Sequence, residues 1–124
     1  MISSSPKSRE NAWLWLYKIM SGLLIFFVLG LHFLVNHLVE KGGLLSYADV
    51  VHYYTNPIIP VIEVTFLVLA VSHSLIGIRS IVLDLNPSGK VLQFIDWCFI
   101  ALGSAAIFYG IALVIIVVSR ATGV

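Results

Sequence analysis

Apolar residues run almost unbroken through three long stretches of the chain, residues 13–39, 58–83 and 94–118, separated by short polar segments. A bilayer's hydrocarbon layer is crossed by about 20 predominantly apolar helical residues, so each stretch predicts a transmembrane α-helix. Three such spans use up most of the 124 residues and leave no length for a soluble domain. The expected fold is therefore an all-α membrane protein, a single transmembrane domain over residues 1–124 with three antiparallel spans.

The polar segments refine these limits. Trp13, Trp15 and Tyr17 have the composition of an interfacial aromatic belt at the start of the first span, and Gly42 and Gly43 form a credible helix stop after it. Residues 44–56 carry Tyr47, Asp49, His52, Tyr53 and Tyr54, a mixture suited to a short helix lying along the surface. Pro57 and Pro60 mark the first turn of the second span, where a missing backbone N–H costs little. Asn86, Pro87, Ser88 and Gly89 read as a tight turn, which makes the second and third spans antiparallel neighbours.

Composition agrees, with 60% hydrophobic and 10% charged residues and a mean hydropathy of +1.03. Soluble domains carry about a quarter charged residues. A net charge of +1 offers no basic surface to neutralise phosphates, which argues against nucleic acid as a partner. The lone Cys98 excludes an intrachain disulfide and a CxxC pair, and it reads as a small core residue. Lys7, Arg9, Lys18, Arg79 and Lys90 fall on one side of the membrane and Lys41 and Arg120 on the other. The positive-inside rule then places the N-terminus in the cytoplasm and the C-terminus outside, in an inner or plasma membrane.

Candidate chemistry lies inside the spans. An imidazole in lipid is costly unless its nitrogens are satisfied, and a bound metal satisfies one while giving the residue a function. His32 and His73 are thus candidate haem ligands, the plainer alternative for each being an interhelical hydrogen bond. At about 100° per residue, Lys18, Ser21, Ile25, Val28 and His32 share one face of the first span, and Phe66, His73, Gly77, Ser80 and Asp84 share one face of the second. Gly77, one turn from His73, leaves room for a flat macrocycle or, equally simply, for close helix packing. Arg79 points about 120° away from His73 and reads as an inner-boundary anchor whose long side chain reaches toward a haem propionate.

Other polar residues take plainer readings. His37 lies about 140° around the helix from His32 and reads as an interfacial residue, and His52 as a solvated loop residue. Glu63, just inside the outer boundary, is read as structural. Gly103, Ser104, Ala105, Ala106 and Gly110 give the third span a small-residue face of the kind that packs closely on a neighbour.

Three strings are shared with a known family: Ser21-Gly22 with a histidine eleven positions later, the run from His32 to His37, and the run from His73 through Gly77 to Arg79 followed by Asp84. In these, and over nearly its whole length, the chain resembles the membrane-anchor (cytochrome b) subunits of the succinate dehydrogenase and fumarate reductase family. It is more like the second hydrophobic anchor (D-type) than the first. The resemblance implies half of a six-helix bundle, completed by a second membrane anchor, with haem b between the helices. It implies two haems, shared with the partner anchor, with His32 and His73 as axial ligands of different ones.

It also implies partners: an iron–sulfur subunit, and a flavoprotein subunit bearing FAD, which oxidise succinate and deliver electrons through this membrane domain to quinone. FAD and the iron–sulfur clusters belong to those subunits alone. Ser21, Lys18 and Asp84 match the family's quinone-pocket positions, with two departures. Many relatives have arginine where this chain has Ile19, and Asp-Tyr where it has Asp84-Leu85. The expected function is a non-catalytic anchor of a succinate:quinone oxidoreductase. The rival readings are the anchor of a quinol:fumarate reductase, a haem-free structural anchor, and a small transporter component, which missing internal symmetry disfavours.

Overall fold

Asn11 opens the first helix: its Oδ1 accepts from the backbone N–H of Trp13 at 3.2 Å, and its carbonyl accepts from Leu14 and Trp15. In the computed structural model, which describes residues 11–34 and 45–124 apart from the side chain of His32, four helices follow in order. They are α1 (Ala12–Leu34), α2 (Tyr47–Tyr53), α3 (Ile58–Asp84) and α4 (Gly89–Thr122). Three of them, α1 over Ala12–Leu31, α3 and α4, are long and apolar enough to cross a membrane. The protein is an all-α membrane protein.

The short surface helix expected in the outer connection is α2, held at its start by a reciprocal capping box between Ser46 and Asp49. Pro57 stands just before α3 and Pro60 in its first turn, where proline is tolerated. The last of the first-span stretch, residues 35–39, lies outside the described residues, as do His37 and the Gly42-Gly43 stop. The third span differs from expectation at both ends. It starts at Gly89 and runs 34 residues, about 51 Å against a hydrocarbon thickness of about 30 Å. The apolar pattern marks only the middle of α4, while its polar ends, with Lys90 and Arg120, continue the helix beyond it.

Between α3 and α4 the chain turns within residues 85–88. Asn86 takes a left-handed φ of 51°, a conformation its short polar side chain tolerates, and its N–H bonds back to Leu83. The helices then run antiparallel and close together. A Cβ on Gly103 would stand 2.7 Å from Cδ1 of Leu75, and one on Gly110 would collide with the methyls of Leu67. Of the expected small-residue face, those two glycines make the contact, whereas Ser104, Ala105 and Ala106 face outward.

The helix α3 packs against both α1 and α4, and α2 rests on α4, where Arg120 Nη1 donates to the Tyr47 hydroxyl at 2.8 Å. The interior is thin. Among the described residues, Leu83, Gly103 and Ser21 are the buried ones, and large apolar side chains such as Trp13, Phe26 and Phe108 face outward. In a bilayer that outward surface suits lipid or another membrane helix.

Candidate functional site

The α1–α3 interface is built on three serines. Ser21 Oγ donates to the carbonyl of Tyr17 at 2.6 Å, with that of Lys18 farther off at 3.2 Å. Ser72 Oγ donates to the carbonyl of Val68 at 2.6 Å, and Ser80 Oγ to that of Ile76 at 3.1 Å. A hydroxyl has one proton, so each serine, back-bonded to its own helix, faces its neighbour as an acceptor. Each is met by a donor from across the interface. The Tyr17 hydroxyl meets Ser72 Oγ, Lys18 Nζ donates to Ser80 Oγ at 2.7 Å, and His73 Nδ1 lies 2.9 Å from Ser21 Oγ.

The last of these bears on the tautomer of the half-buried His73. With the Ser21 proton on Tyr17 O, the bond requires hydrogen on Nδ1, so neutral His73 keeps the lone pair on Nε2. Gly22 holds the ring from another side: a Cβ there would be 2.9 Å from Cε1 and 3.6 Å from each ring nitrogen. One turn along α3, a Cβ on Gly77 would meet nothing within 4 Å. Close packing inside this chain therefore does not account for Gly77, which borders open space on the helix that carries His73.

Residues 3–118 match the family described as succinate dehydrogenase/fumarate reductase transmembrane subunit. The chain belongs to that family. It is also similar to a succinate dehydrogenase hydrophobic membrane anchor subunit of Archaeoglobus fulgidus, 30% identical over 113 residues covering 88% of this chain and 92% of that protein. No solved structure gives a significant match.

In this transmembrane subunit, the two polar faces read from the sequence do meet: Lys18 and Ser21 of α1 face Ser80 and His73 of α3. Asp84 stays apart from them, exposed at the C-terminal end of α3. The backbone of His32 lies on α1 about 16 Å beyond Ser21 toward the outer end, so it sits at a different membrane depth from His73. His52 is exposed on α2. Glu63 is half-buried near the outer boundary, where the Tyr54 hydroxyl is held above its ordinary pKa by desolvation first and by the Glu63 charge second.

Arg79 faces α4. Its guanidinium makes a two-pronged ion pair with Asp96, Nε to Oδ1 at 2.7 Å and Nη2 to Oδ2 at 3.1 Å, in a half-buried setting. Asp96 was not among the candidates from sequence, nor were Tyr17 and Ser72 as interior residues. For Asp96 a signal exists: Arg79 and Asp96 are opposite charges at comparable distances on either side of the hairpin turn. Tyr17 belongs to the inward face by its spacing from Ser21, though its two neighbouring tryptophans disguise it as a belt residue.

Proposed function

We propose that this transmembrane subunit holds haem b through His32 and His73, each serving a different haem, and helps electrons pass from an iron–sulfur subunit to quinone in a succinate:quinone oxidoreductase. The observation that carries this reading is His73 itself. Its imidazole is oriented by Ser21 and Gly22, carries its lone pair on Nε2 when neutral, and lies on the helix where Gly77 borders open space. Those residues fit a flat, iron-bearing macrocycle, which wants a neutral imidazole nitrogen and a cleared flank. When bound, haem supplies one-electron transfer within the apolar layer.

The difference in depth between His32 and His73 supports two haems rather than one shared iron, since one iron cannot reach two levels about 16 Å apart. Thin burial and the outward apolar surface support a second membrane anchor completing a six-helix bundle; the flavoprotein and iron–sulfur subunits of this proposal dock at the cytoplasmic face. Lys18, Arg79 and Lys90 lie toward the same end of the bundle, in keeping with a cytoplasmic N-terminus in an inner or plasma membrane. For quinone, Lys18 and Asp84 near that end are the local polar groups, and Asp84 is our candidate to supply a proton to the reduced ring. Arg79, held by Asp96, serves as an inner-boundary anchor in preference to a propionate partner.

The test is a reduced-minus-oxidised visible spectrum of the complex purified through a tag on this chain. A b-type band is expected, with one haem lost in His32→Gln and the other in His73→Gln. A complex with no b-type band would leave a haem-free anchor, and loss of the same haem in both variants would refute the assignment to different haems. Quinone reduction unchanged in Asp84→Asn would remove that residue from the quinone reading.

A further inference from the structure

We infer that Ser21 is a positioning residue for His73, setting the tautomer and the electron-donating strength of the haem ligand, and that its hydroxyl is not a quinone contact. The inference rests on the haem reading above and assigns this serine a role within it. Three observations converge. Ser21 is 3% exposed, the most buried polar side chain among the described residues. Its single proton is held by the Tyr17 carbonyl at 2.6 Å, and its oxygen receives Nδ1 of His73 at 2.9 Å, so its bonding is met within the chain. Gly22, the next residue, places no side chain against the ring, where a Cβ would press to 2.9 Å on Cε1. The Ser21-Gly22 pair thus works as one seat: the hydroxyl takes the imidazole N–H and the missing side chain admits the ring edge.

The chemical consequence follows from the direction of that bond. A histidine that donates its second N–H becomes a more basic ligand through the opposite nitrogen, which favours the more oxidised, more positive metal. Without Ser21 Oγ, the Nδ1–H loses its acceptor, the ring gains freedom to turn, and the ferric state loses part of its stabilisation. The haem held by His73 should then have a higher midpoint potential, while the haem held by His32 should not move.

The experiment uses the intact complex carrying Ser21→Ala, Ser21→Thr or Ser72→Ala in this chain. Ser72→Ala removes a neighbouring hydroxyl of the same interface that does not touch His73. Redox titration followed in the b band, with the low-spin ferric signals read by electron paramagnetic resonance, should show one haem moved to higher potential in Ser21→Ala. Ser21→Thr should restore the wild-type potential, and Ser72→Ala should leave it unchanged. A b-type band with wild-type potentials in Ser21→Ala, or the same shift from Ser72→Ala, would overturn this inference and leave the haem reading standing. A wild-type complex without a b-type band would overturn both. Nitrogen-15 histidine spectra of the chain without haem supply an independent readout: hydrogen on Nδ1 of His73 is expected, and hydrogen on Nε2 alone would overturn the inference.

Discussion

Replacing Gly22 with alanine puts a methyl group where the His73 ring now lies. The new Cβ would stand 2.9 Å from Cε1. Carbon atoms in ordinary contact are about 3.5–4.0 Å apart, so the ring or its helix must withdraw by about 0.6–1.1 Å. Both ring nitrogens are 3.6 Å from the same point, so Cε1 aims at Gly22 and turning the ring about that line gives no relief. Withdrawal lengthens the bond from Nδ1 to Ser21 Oγ, now 2.9 Å, to about 3.5 Å, where it ceases to count as one.

Interhelical hydrogen bonds in membranes are worth about 0.6 kcal/mol on average and about 1.7 at most, which converts to roughly 3-fold to 20-fold in affinity. Haem titrated into haem-depleted complex should therefore bind the His73 site about 3-fold to 20-fold more weakly in Gly22→Ala. The matched control is Gly30→Ala on the same helix, where an added Cβ meets nothing within 4 Å. It carries the same helix-propensity change, about 1 kcal/mol in favour of alanine in water, without the collision. Equal haem affinity in the two variants would refute the seat that Gly22 is argued to form.

Three further outcomes are expected. Asp96→Asn should lower the thermal stability of the detergent-solubilised complex by about 1–2 kcal/mol, below the 3–5 of a fully buried pair because both partners are half-buried, and unchanged melting would refute the anchoring role. Tyr17→Phe and Ser72→Ala, measured singly and together, should show a coupling of about 0.6 kcal/mol in a double-mutant cycle, and strict additivity would mean the bond contributes nothing. Asp49 has its carboxyl held below the ordinary 3.8 by the Ser46 side-chain bond first and the Ser46 backbone N–H second. A lowered folded pKa means that its contribution is present above the ordinary value and fades as pH falls through the folded one. A carboxyl-carbon titration should thus give a midpoint under 3.8 that rises part of the way toward ordinary in Ser46→Ala, which keeps the backbone N–H, and a wild-type midpoint at or above 3.8 would contradict the capping box.

Much of this was legible in the sequence because lipid imposes a simple rule. Apolar length alone located α1, α3 and α4, and the 3.6-residue period alone grouped Lys18 with Ser21 and His73 with Ser80, faces that then prove to be opposed. What hydropathy could not locate were the ends of α4, since a helix does not stop where lipid does. Nor could helical period say which helix Arg79 would turn to, because a direction becomes a partner only once the hairpin brings Asp96 alongside. Tyr17 was hidden by its neighbours: two tryptophans suggested the membrane surface, whereas its hydroxyl reaches inward to Ser72.

The seam between α1 and α3 also has a one-way polarity. Each serine gives its proton to its own helix and so offers the other helix only lone pairs, while tyrosine, lysine and histidine supply the hydrogens. Deleting a supplier leaves behind a serine that is still satisfied at home. Deleting Ser21 or Ser72 takes the acceptor from a hydrogen between the helices, the costlier error. Mutational tolerance along this seam should accordingly be lopsided, somewhat lower at Ser21 and Ser72 than at the residues that reach them, apart from His73, which the proposed haem holds fixed for a separate reason.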